Sequence, residues 1–215
     1  MELEVNIKKK LKEFDIDIEF GVSKGCTGLM GSSGSGKSMI LKCIAGIENP
    51  DSGRIVLNGK VLYDSAKKIN LSPQKRHVGY LFQSYALFPN MTVLKNIEEG
   101  VRVSGFGKKE GISRAFDMLE RFHIKELSDR YPRQLSGGQK QRAALARLMV
   151  CDPDVILLDE PFSALDDELK GELIDEMKGL LEGLQKPEIL VSHNKDEVAE
   201  LCCSIYKIHK GRLIR

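Results

Sequence analysis

Alternation of apolar and polar residues predicts strands in the first quarter of the chain. Apolar residues take every second position over 1–7 and again over 15–20, which is the period of a strand with one buried face. Residues 54–62 hold Asn58-Gly59 between two apolar runs, and Asn-Gly is the preferred pair for a tight hairpin turn. We therefore expect this part of the chain to be rich in β-structure and partly antiparallel.

Short continuous apolar runs follow, and each leads through a polar or glycine-rich loop into a helical pattern. The runs lie at 28–30, 78–82, 155–158 and 189–191, and helices fit 39–46, 137–150, 167–184 and 195–202. Apolar strands that alternate with helices are typical of a parallel sheet in an α/β core. Residues 205–214 fit two further strands around a Lys210-Gly211 turn.

The segment 84–150 predicts a mainly helical part of the same α/β protein. Its clearest helix has an apolar stripe formed by Ile112, Ala115, Phe116, Leu119 and Phe122. Residues at this spacing lie on one side of a helix and normally face the core. The length of 215 residues suits one large domain with a sizeable core, or one domain with a small appended lobe. We expect 1–215 to form a single domain.

Composition and charge are those of a globular protein. Hydrophobic residues make up 41% and charged residues 30%, and the net charge of +2 gives no strong attraction to nucleic acid or to an acidic membrane. The N-terminal alternation does not fit a signal peptide. No run approaches the ~18 apolar residues of a membrane helix, so a role in a membrane process would require partners that span the bilayer.

Cysteine usage predicts reduced side chains. The five cysteines show no CxxC spacing, and most of them lie in apolar stretches: Cys26, Cys43, Cys151, Cys202 and Cys203. This pattern is typical of core residues in a cytosolic protein. A metal or redox site is the alternative interpretation.

Residues that follow the run 28–30 match a phosphate-binding loop. The sequence Gly31, Ser32, Ser33, Gly34, Ser35, Gly36, Lys37, Ser38 fits GxxxxGK[ST] between a strand and a helix, which is the context that the motif requires. Glycines let successive backbone N–H groups point at phosphate oxygens, and the helix adds its positive N-terminal end. Lys37 would contact the β- and γ-phosphates and Ser38 would bind Mg²⁺. A flexible Gly/Ser loop is the alternative.

Two carboxylates close the apolar run 155–158. Asp159 and Glu160 follow it directly, and the carboxyl ends of parallel strands line the ligand crevice of such sheets. Asp159 would hold Mg²⁺, directly or through water. Glu160 would orient or deprotonate the attacking water. Without the phosphate loop upstream, an Asp-Glu pair at this place would more often be a plain turn.

A second anion-binding element precedes the helix at 137–150. Its residues are Leu135, Ser136, Gly137, Gly138 and Gln139, and the exposed N–H groups at a helix N-terminus favour an anion. With LSGGQ twenty residues before Asp159, the sequence resembles the nucleotide-binding subunits of ABC transporters, over nearly the whole chain. The resemblance implies a P-loop NTPase core with an antiparallel β subdomain and a helical signature subdomain. It also implies that two copies pair head to tail and hold each ATP between the phosphate loop of one and the signature of the other.

Further family landmarks occur in the family's order. Gln83 matches the glutamine that contacts Mg²⁺ or water and senses the γ-phosphate, and His193 matches the switch histidine that contacts the γ-phosphate. The D-loop, which crosses the dimer interface, is matched by Ser163, Ala164, Leu165 and Asp166. In isolation, such a glutamine or histidine would more often be an ordinary surface residue or hydrogen-bonding group. Their roles therefore depend on the resemblance.

The sequence departs from the family pattern at several positions. Ser192-His193-Asn194 replaces the commoner Thr-His-Asp, and Met39 stands at the end of the phosphate loop where the family often has threonine. The family places an aromatic residue that stacks on adenine in its N-terminal β region. Phe14 is the candidate for that role, and a plain core role is the alternative.

The resemblance favours the ATPase half of a bacterial-type importer. Lys37 and Leu135 are too close in sequence for the long coiled coil of the chromosome- and repair-type relatives, and 131–134 resembles bacterial importers. The apolar loop 84–93 would receive the coupling helix of a membrane permease. The implied partners are a second copy, permease subunits and, indirectly, an extracytoplasmic binding protein, with no nucleic acid. The implied location is the cytoplasmic face of the membrane.

The transported substrate is predicted from one segment. Residues 59–76 resemble the ATPase subunits of molybdate importers, and sulfate, tungstate, iron and polyamine importers are close relatives. Many such subunits carry a C-terminal regulatory domain, which we expect to be absent after the strands at 205–214. A soluble ABC ATPase that acts outside transport and a small phosphotransferase are alternatives. The phosphotransferase gives no account of the signature or the D-loop.

Overall fold

A computed structural model describes residues 2–163 and 167–214. The elements in chain order are β1 (Leu3–Lys10), β2 (Asp15–Val22), β3 (Gly25–Met30), α1 (Lys37–Ala45), β4 (Ser52–Leu57), β5 (Lys60–Asp64), β6 (Ile69–Asn70), β7 (Val78–Leu81), α2 (Val93–Ser104), α3 (Lys108–Arg121), α4 (Gly137–Met149), β8 (Val155–Asp159), α5 (Asp167–Glu182), β9 (Pro187–Val191), α6 (Lys195–Leu201), β10 (Ser204–His209) and β11 (Arg212–Ile214). The strands and helices expected from the sequence are therefore present, with ends that differ by a few residues.

The described residues divide into two compact units. The first takes its residues from Met1–Tyr80, Asp154–Glu160 and Ile174–Arg215, and the second from Leu81–Pro153 and Pro161–Leu173. The second unit contains α2, α3 and α4, which occupy the segment predicted to be helical. That 1–215 forms a single domain stays a prediction.

A five-stranded antiparallel sheet in the first unit has the order β2-β1-β4-β5-β6. β1 and β2 pair from Leu3 opposite Val22 to Lys10 opposite Asp15. Every second side chain of both strands is buried, except that Lys9 near the end of β1 is half-buried. A strand that covers a core on one side presents alternate residues to it. The predicted antiparallel β-structure is confirmed.

The second sheet of this unit has the order β11-β10-β3-β9-β8-β7. β10, β3, β9 and β8 pair in parallel, and β11 pairs with β10 in the antiparallel sense. All residues of β8 and β9 are buried, as expected for strands inside a parallel sheet. The carboxyl ends of β3, β8 and β9 lie at one edge of this sheet, so the segments that follow them meet there.

The apolar stripe predicted on α3 is only partly buried. Ala115 and Leu119 are fully buried, whereas Ile112 is 40% and Phe116 41% exposed. The buried side of α3 instead includes Gly111, where a Cβ atom would lie 2.1 Å from Val101 of α2. α2 approaches so closely at this glycine that the covered side of α3 is turned away from Ile112 and Phe116. The prediction that the whole stripe faces the core is therefore wrong.

The cysteines are all unpaired, and their burial differs from the prediction. Cys26 and Cys43 are buried, Cys151 and Cys202 are half-buried, and Cys203 is exposed. A core role is therefore confirmed for the first two and is wrong for Cys203. Within 2–163 and 167–214, no helix is both long and apolar enough to cross a membrane.

Candidate active site

The loop between β3 and α1 adopts a conformation that requires small residues. Gly36 has a φ of 102° and caps the N-terminus of α1, in the left-handed region that glycine adopts without steric cost. At Gly31, a Cβ atom would lie 2.3 Å from the carbonyl oxygen of Ile208. The N–H group of Ser35 donates to the carbonyl of Ser32 at 3.1 Å and closes a tight turn. The predicted phosphate loop therefore forms a tight turn directly before a helix.

Lys37 lies inside this loop. Its side chain is buried, and its Nζ donates to the carbonyl oxygens of Gly31 at 2.8 Å and Ser32 at 2.9 Å. Burial lowers the pKa of Lys37, whereas the charges of Glu160 and Asp159 act in the opposite direction. The loop carbonyls thus hold the ammonium group where it interacts electrostatically with both carboxylates.

Ser38 and Asp159 are 121 residues apart in sequence and are in direct contact in the first unit. The Ser38 hydroxyl donates to Oδ1 of Asp159 at 2.8 Å, and the Tyr80 hydroxyl donates to Oδ2 at 2.8 Å. Burial and the Asp159 carboxylate raise the pKa of Tyr80, so its hydroxyl remains a donor. Both oxygens of Asp159 are therefore oriented by neighbours on α1 and β7.

This pair fits a magnesium ion. Mg²⁺ prefers hard oxygen ligands in octahedral geometry at about 2.0–2.1 Å, which places adjacent ligands about 3 Å apart. Ser38 Oγ and Asp159 Oδ1 are 2.8 Å apart and supply such oxygens. Beside them in the loop, the hydroxyl of Ser35 is buried without a hydrogen-bond partner. The donor set and its spacing agree with the predicted metal role of Ser38 and Asp159.

Glu160 takes a strained backbone conformation next to Asp159. Its φ is 47°, and a non-glycine residue in this region is held there only when its surroundings fix it. The fixing contact is the hydrogen bond from its N–H group to the carbonyl of Val191 at 2.9 Å. Oε1 of Glu160 lies 3.6 Å from Nδ1 of His193, which is exposed. The end of β8 and the loop after β9 therefore bring the predicted base and the predicted switch histidine together.

The residues on both sides of His193 fix its loop. Asn194 N–H donates to the Ser192 hydroxyl at 2.9 Å, and the Asn194 side chain caps α6 by accepting from Asp196 N–H at 2.8 Å. The Ser192 hydroxyl donates to the buried carboxylate of Glu197. Although serine and asparagine depart from the commoner family residues, they supply the hydroxyl and the cap that hold this turn.

In the second unit, the signature forms the N-terminus of α4. Ser136 is the N-cap: its hydroxyl accepts from Gln139 N–H at 3.3 Å, and the Gln139 side chain accepts from Ser136 N–H at 3.0 Å. This reciprocal capping box satisfies one of the first helical N–H groups. Leu135 is buried, and Gly137 and Gly138 form the first turn. The helix therefore begins within the predicted anion-binding element.

The remaining predicted residues lie in different places. Gln83 is exposed and follows β7, and Ser163 is exposed and lies in the turn after β8. Both residues belong to the second unit. The rest of the predicted D-loop, Ala164, Leu165 and Asp166, lies outside the described residues. Phe14 is partly buried, and its ring would touch a Cβ atom at Gly36, so it adjoins the phosphate loop. Met39, like Phe14, packs against the hydrophobic core of the first unit. The stacking role of Phe14 and the nucleotide contact of Met39 stay predictions.

A rigid frame supports the loop 84–93 of the second unit. Tyr85 is buried, whereas the Phe88 ring is 45% exposed. The side chain of Asn96 is fully buried and bonds the backbone of Phe88 and Met91. Arg147 donates to the carbonyls of Tyr85 and Ala86, and its guanidinium lies 5.4 Å from the centre of the Phe88 ring. The predicted apolar loop therefore presents an aromatic ring from a fixed backbone.

Tyr80 is the site residue that the sequence did not reveal. It occurs in the run predicted as a strand, and its aromatic ring would suit a buried strand position equally well. Its role depends on β7 lying next to β8 in the sheet, which the order of motifs along the chain does not state. The available signal was a hydroxyl-bearing residue in a strand that leads to Gln83.

The chain matches a known protein family and is similar to curated ATP-binding proteins. The ABC transporter family model matches residues 16–163. The chain is 41% identical over 204 residues to the sulfate/thiosulfate import ATP-binding protein CysA of Thermosynechococcus vestitus, covering 94% of the chain and 58% of the relative. It is 38% identical over 212 residues to the molybdenum import ATP-binding protein ModC of Rhodospirillum rubrum, covering 98% and 56%. The chain thus spans less than three fifths of the length of these curated relatives.

Solved structures give the same result. A dimeric post-hydrolysis structure of the ATP-binding cassette MJ0796 bound to ADP and Pi matches with a TM-score of 0.81 at 27% identity, and the match covers 100% of this chain and 97% of that one. The expected fold class is therefore confirmed, because the sheets and helices described above are those of an ABC ATPase cassette. By its family match, its relatives and its fold, the chain belongs to the ABC transporter family.

Proposed function

We propose that this chain is the ATP-binding subunit of an importer and that it hydrolyses ATP with magnesium. The observation that carries the proposal is the contact between Ser38 and Asp159 at 2.8 Å. It unites the phosphate loop with the acidic end of β8, which are far apart in sequence. These two elements are the ones that phosphate-loop enzymes use to hold a metal-bound nucleotide.

The chain's own residues supply positioning and charge. N–H groups of the loop and the ammonium of Lys37 bind the phosphates. Glu160 holds the attacking water and takes its proton, and His193 beside it contacts the γ-phosphate. Ser38 and Asp159 would hold Mg²⁺, and the resemblance predicts Gln83 as a further contact. When bound, the ion would supply positive charge that offsets the charge on the phosphate oxygens. Glu160 and His193 lie 3.6 Å apart, so one small region serves both roles.

Two copies would form the working unit. One chain carries both the phosphate loop and the helix N-terminus at Ser136, and each of them favours an anion. Head-to-tail pairing lets each ATP contact the loop of one copy and Ser136, Gly137 and Gly138 of the other. The D-loop at 163–166 would lie at the interface. The name of the matched solved structure describes that cassette as dimeric, which supports this arrangement.

A membrane permease is the proposed partner. The relatives are import ATP-binding proteins by name, and import across a membrane requires a partner that spans the bilayer. The loop 84–93 offers the exposed ring of Phe88 on a backbone fixed by Asn96, and an amphipathic helix can dock on such a surface. The chain would then work at the cytoplasmic face of the membrane, with an extracytoplasmic binding protein acting through the permease.

A tetrahedral oxyanion is the proposed transport substrate, with molybdate first and sulfate second. The relatives are named for import of molybdenum and of sulfate or thiosulfate, at similar identity. Both anions carry two negative charges on four oxygens, so one permease family can serve either. The nucleotide site does not contact the transported anion, and its residues therefore do not separate the two.

The proposed ATPase function is tested with Glu160→Gln. This change removes the base and keeps the size of the side chain. We expect the rate of phosphate release to fall by about 10²–10⁴-fold, while ATP still binds. ATP-bound copies should then accumulate as a dimer in light scattering with saturating magnesium and ATP.

A matched control is Glu4→Gln on the exposed side of β1, which should keep the wild-type rate. If Glu160→Gln hydrolyses ATP as fast as wild type, Glu160 is not the base. If it remains monomeric although it binds ATP, the head-to-tail arrangement is wrong.

A further inference from the structure

Three cysteines meet in the first unit, away from the nucleotide-binding residues. Cys26 lies on β3, Cys202 caps the C-terminus of α6, and Cys203 precedes β10. The Sγ atoms of Cys26 and Cys202 are 3.1 Å apart, and the Cys203 thiol donates to the carbonyl of Cys26 at 3.2 Å. Two thiols separated by 176 residues in sequence are therefore in direct contact.

The backbone holds this pair in place. Cys203 N–H donates to the carbonyl of Cys26 at 2.9 Å, and Cys202 N–H donates to Val198 of α6 at 2.9 Å. α6 lies so close to β3 that a Cβ atom at Gly28 would be 2.4 Å from Val198 Cγ1. A disulfide needs its sulfurs at about 2.05 Å, so the two atoms must approach by about 1 Å. Rotations of the two side chains about their Cα–Cβ bonds move the sulfurs toward each other.

Small solutes can reach the cluster. A cavity of about 380 Å³ is lined by Cys26 and Cys203 together with Lys24, Lys178 and Glu188. Cys202 is half-buried and Cys203 is exposed, whereas Cys26 is 5% exposed. The arrangement therefore combines one enclosed thiol with two that solvent can approach.

We propose that Cys26 and Cys202 are a redox modification site, at which a peroxide converts the two thiols into a reversible disulfide. In the first step the Cys202 sulfur attacks one peroxide oxygen, the O–O bond breaks, and Cys202 sulfenic acid and water form. In the second step the Cys26 sulfur attacks the Cys202 sulfur, and the sulfenic oxygen leaves as water. Two thiol hydrogens and two electrons pass to hydrogen peroxide, which gives one disulfide and two waters.

The roles of the two cysteines follow from their surroundings. The hydrogen bond with Cys202 raises the pKa of the Cys26 thiol, and burial raises it further. The thiolate is the nucleophile toward peroxide, so the more exposed Cys202 reacts first. Cys26 then forms the disulfide because it is already in contact with the Cys202 sulfur. The sequence offered a redox site only as an alternative role for the cysteines, and their spacing did not indicate a pair, since Cys26 and Cys202 lie near opposite ends of the chain.

Peptide mapping of the folded, peroxide-treated chain tests the proposal. After alkylation and digestion with trypsin without reductant, Cys26 is in the peptide 25–37 and Cys202 and Cys203 share the peptide 196–207. We expect these two peptides to be linked, and the link to disappear after treatment with dithiothreitol. Of the five cysteines, three should still react with a thiol reagent after unfolding.

Three variants identify the bonded atoms. Cys203→Ser should keep the link, because it retains a hydrogen-bond donor beside Cys26, whereas Cys202→Ser and Cys26→Ser should lose it. The oxidised wild type should also unfold at a higher urea concentration, since the bond closes a long loop. Wild type and Cys203→Ser decide the test even if Cys26→Ser folds poorly. The proposal is overturned if peroxide gives only sulfinic acid with no linked peptide, or if the link persists in Cys202→Ser.

Discussion

The hydroxyl of Tyr80 donates a 2.8 Å hydrogen bond to Oδ2 of Asp159, while Ser38 donates to the other oxygen of the same carboxylate. Asp159 therefore has one neighbour that is a proposed magnesium ligand and one that only orients it. Such orienting partners contribute to metal affinity because they fix the direction of the ligand.

Tyr80→Phe should weaken magnesium binding. Loss of the hydroxyl frees Asp159 to rotate, and removal of an orienting partner typically costs 10–100-fold in metal affinity or activity. We expect the magnesium concentration for half-maximal ATP hydrolysis to rise by about tenfold. The measurement is the rate of phosphate release against magnesium concentration at fixed ATP.

The control for this change is Tyr206→Phe, which removes a hydroxyl that donates to the carbonyl of Gly21 at 3.1 Å. This tyrosine does not contact Asp159, so its variant should keep the wild-type magnesium dependence. An equal magnesium dependence in all three proteins would rule out an orienting role for Tyr80.

The sequence alone located those parts of the candidate site whose motifs consist of residues close together in the chain. The phosphate loop and the pair Asp159-Glu160 each follow an apolar strand, and their roles depend on that local context. The contact of Tyr80 with Asp159 depends instead on which strands lie side by side in the sheet. The order of strands along the chain leaves that neighbour relation open, so Tyr80 was not identified.

Burial was predicted less well where it depends on how helices approach each other. Periodicity places Ile112 and Phe116 on the same side of α3 as Leu119. The close contact of α2 at Gly111 determines which side of α3 is buried, and it leaves Ile112 and Phe116 exposed. The exposed position of Cys203 has a similar origin, because it follows the end of α6 and begins the path into β10. In both places, packing between distant elements decides the outcome.

Arg76 is a fully buried charge that fixes the C-terminus of α1. Its guanidinium donates to the carbonyls of Cys43 at 2.8 Å, Ile44 at 2.9 Å and Leu71 at 2.9 Å, and to the side chain of Asn70 at 2.8 Å. Burial lowers the pKa of Arg76, and the surrounding oxygens offset part of that cost. Since α1 begins at the phosphate loop, Arg76 fixes the opposite end of the helix that carries the loop.

Arg76→Met should therefore destabilise the protein. The change leaves several buried carbonyl oxygens without a donor, and each unsatisfied group costs about 1–3 kcal/mol. We expect the free energy of unfolding to fall by about 3 kcal/mol in urea denaturation. Arg54→Met is the control. Arg54 is largely exposed, and its ion pair with Asp64 is long at 3.7 Å, so the loss of unfolding free energy should stay within about 0.5 kcal/mol. Similar losses in the two variants would contradict the role assigned to Arg76.

Glu188 is a buried carboxyl group whose Oε1 has no hydrogen-bond partner. Burial raises the pKa of Glu188 to about 8. It shares a cavity with Cys26, Cys203, Lys24 and Lys178. The folded protein therefore keeps the proton on Glu188 to a pH at which the unfolded chain has already released it.

The raised pKa of Glu188 predicts a loss of stability with rising pH. The folded state binds one more proton than the unfolded state between the ordinary pKa of 4.5 and about 8. Its contribution to the free energy of unfolding is complete below the lower value and is lost as the pH rises toward the upper one, by at most ~1.4 kcal/mol per pH unit. In Glu188→Gln this slope should be absent. Urea denaturation of both proteins from pH 5 to pH 8 gives the difference, and a constant difference would refute the shift.

Enlarging the serine of the signature should block ATP hydrolysis. Ser136 begins α4 at the proposed anion site, and an arginine there would fill the space for the phosphates bound by the other copy. We expect Ser136→Arg to abolish phosphate release. A mixture of Ser136→Arg with Lys37→Ala should regain part of the activity, because a mixed dimer has one site with an intact loop and an intact signature. Full activity of Ser136→Arg alone would exclude the signature from the site.

Lys37→Ala in the cell should identify the transported anion. The change removes an ammonium that the loop holds beside Asp159 and Glu160, so ATP no longer drives transport. We expect total cellular molybdenum to fall strongly at limiting external molybdate, with sulfate and iron uptake unchanged. Lys42→Ala on the same helix is the matched control, since Lys42 lies beyond the loop. If molybdenum is unchanged and sulfate uptake falls instead, molybdate is wrong as the substrate, and the chain energises sulfate import through the same nucleotide site.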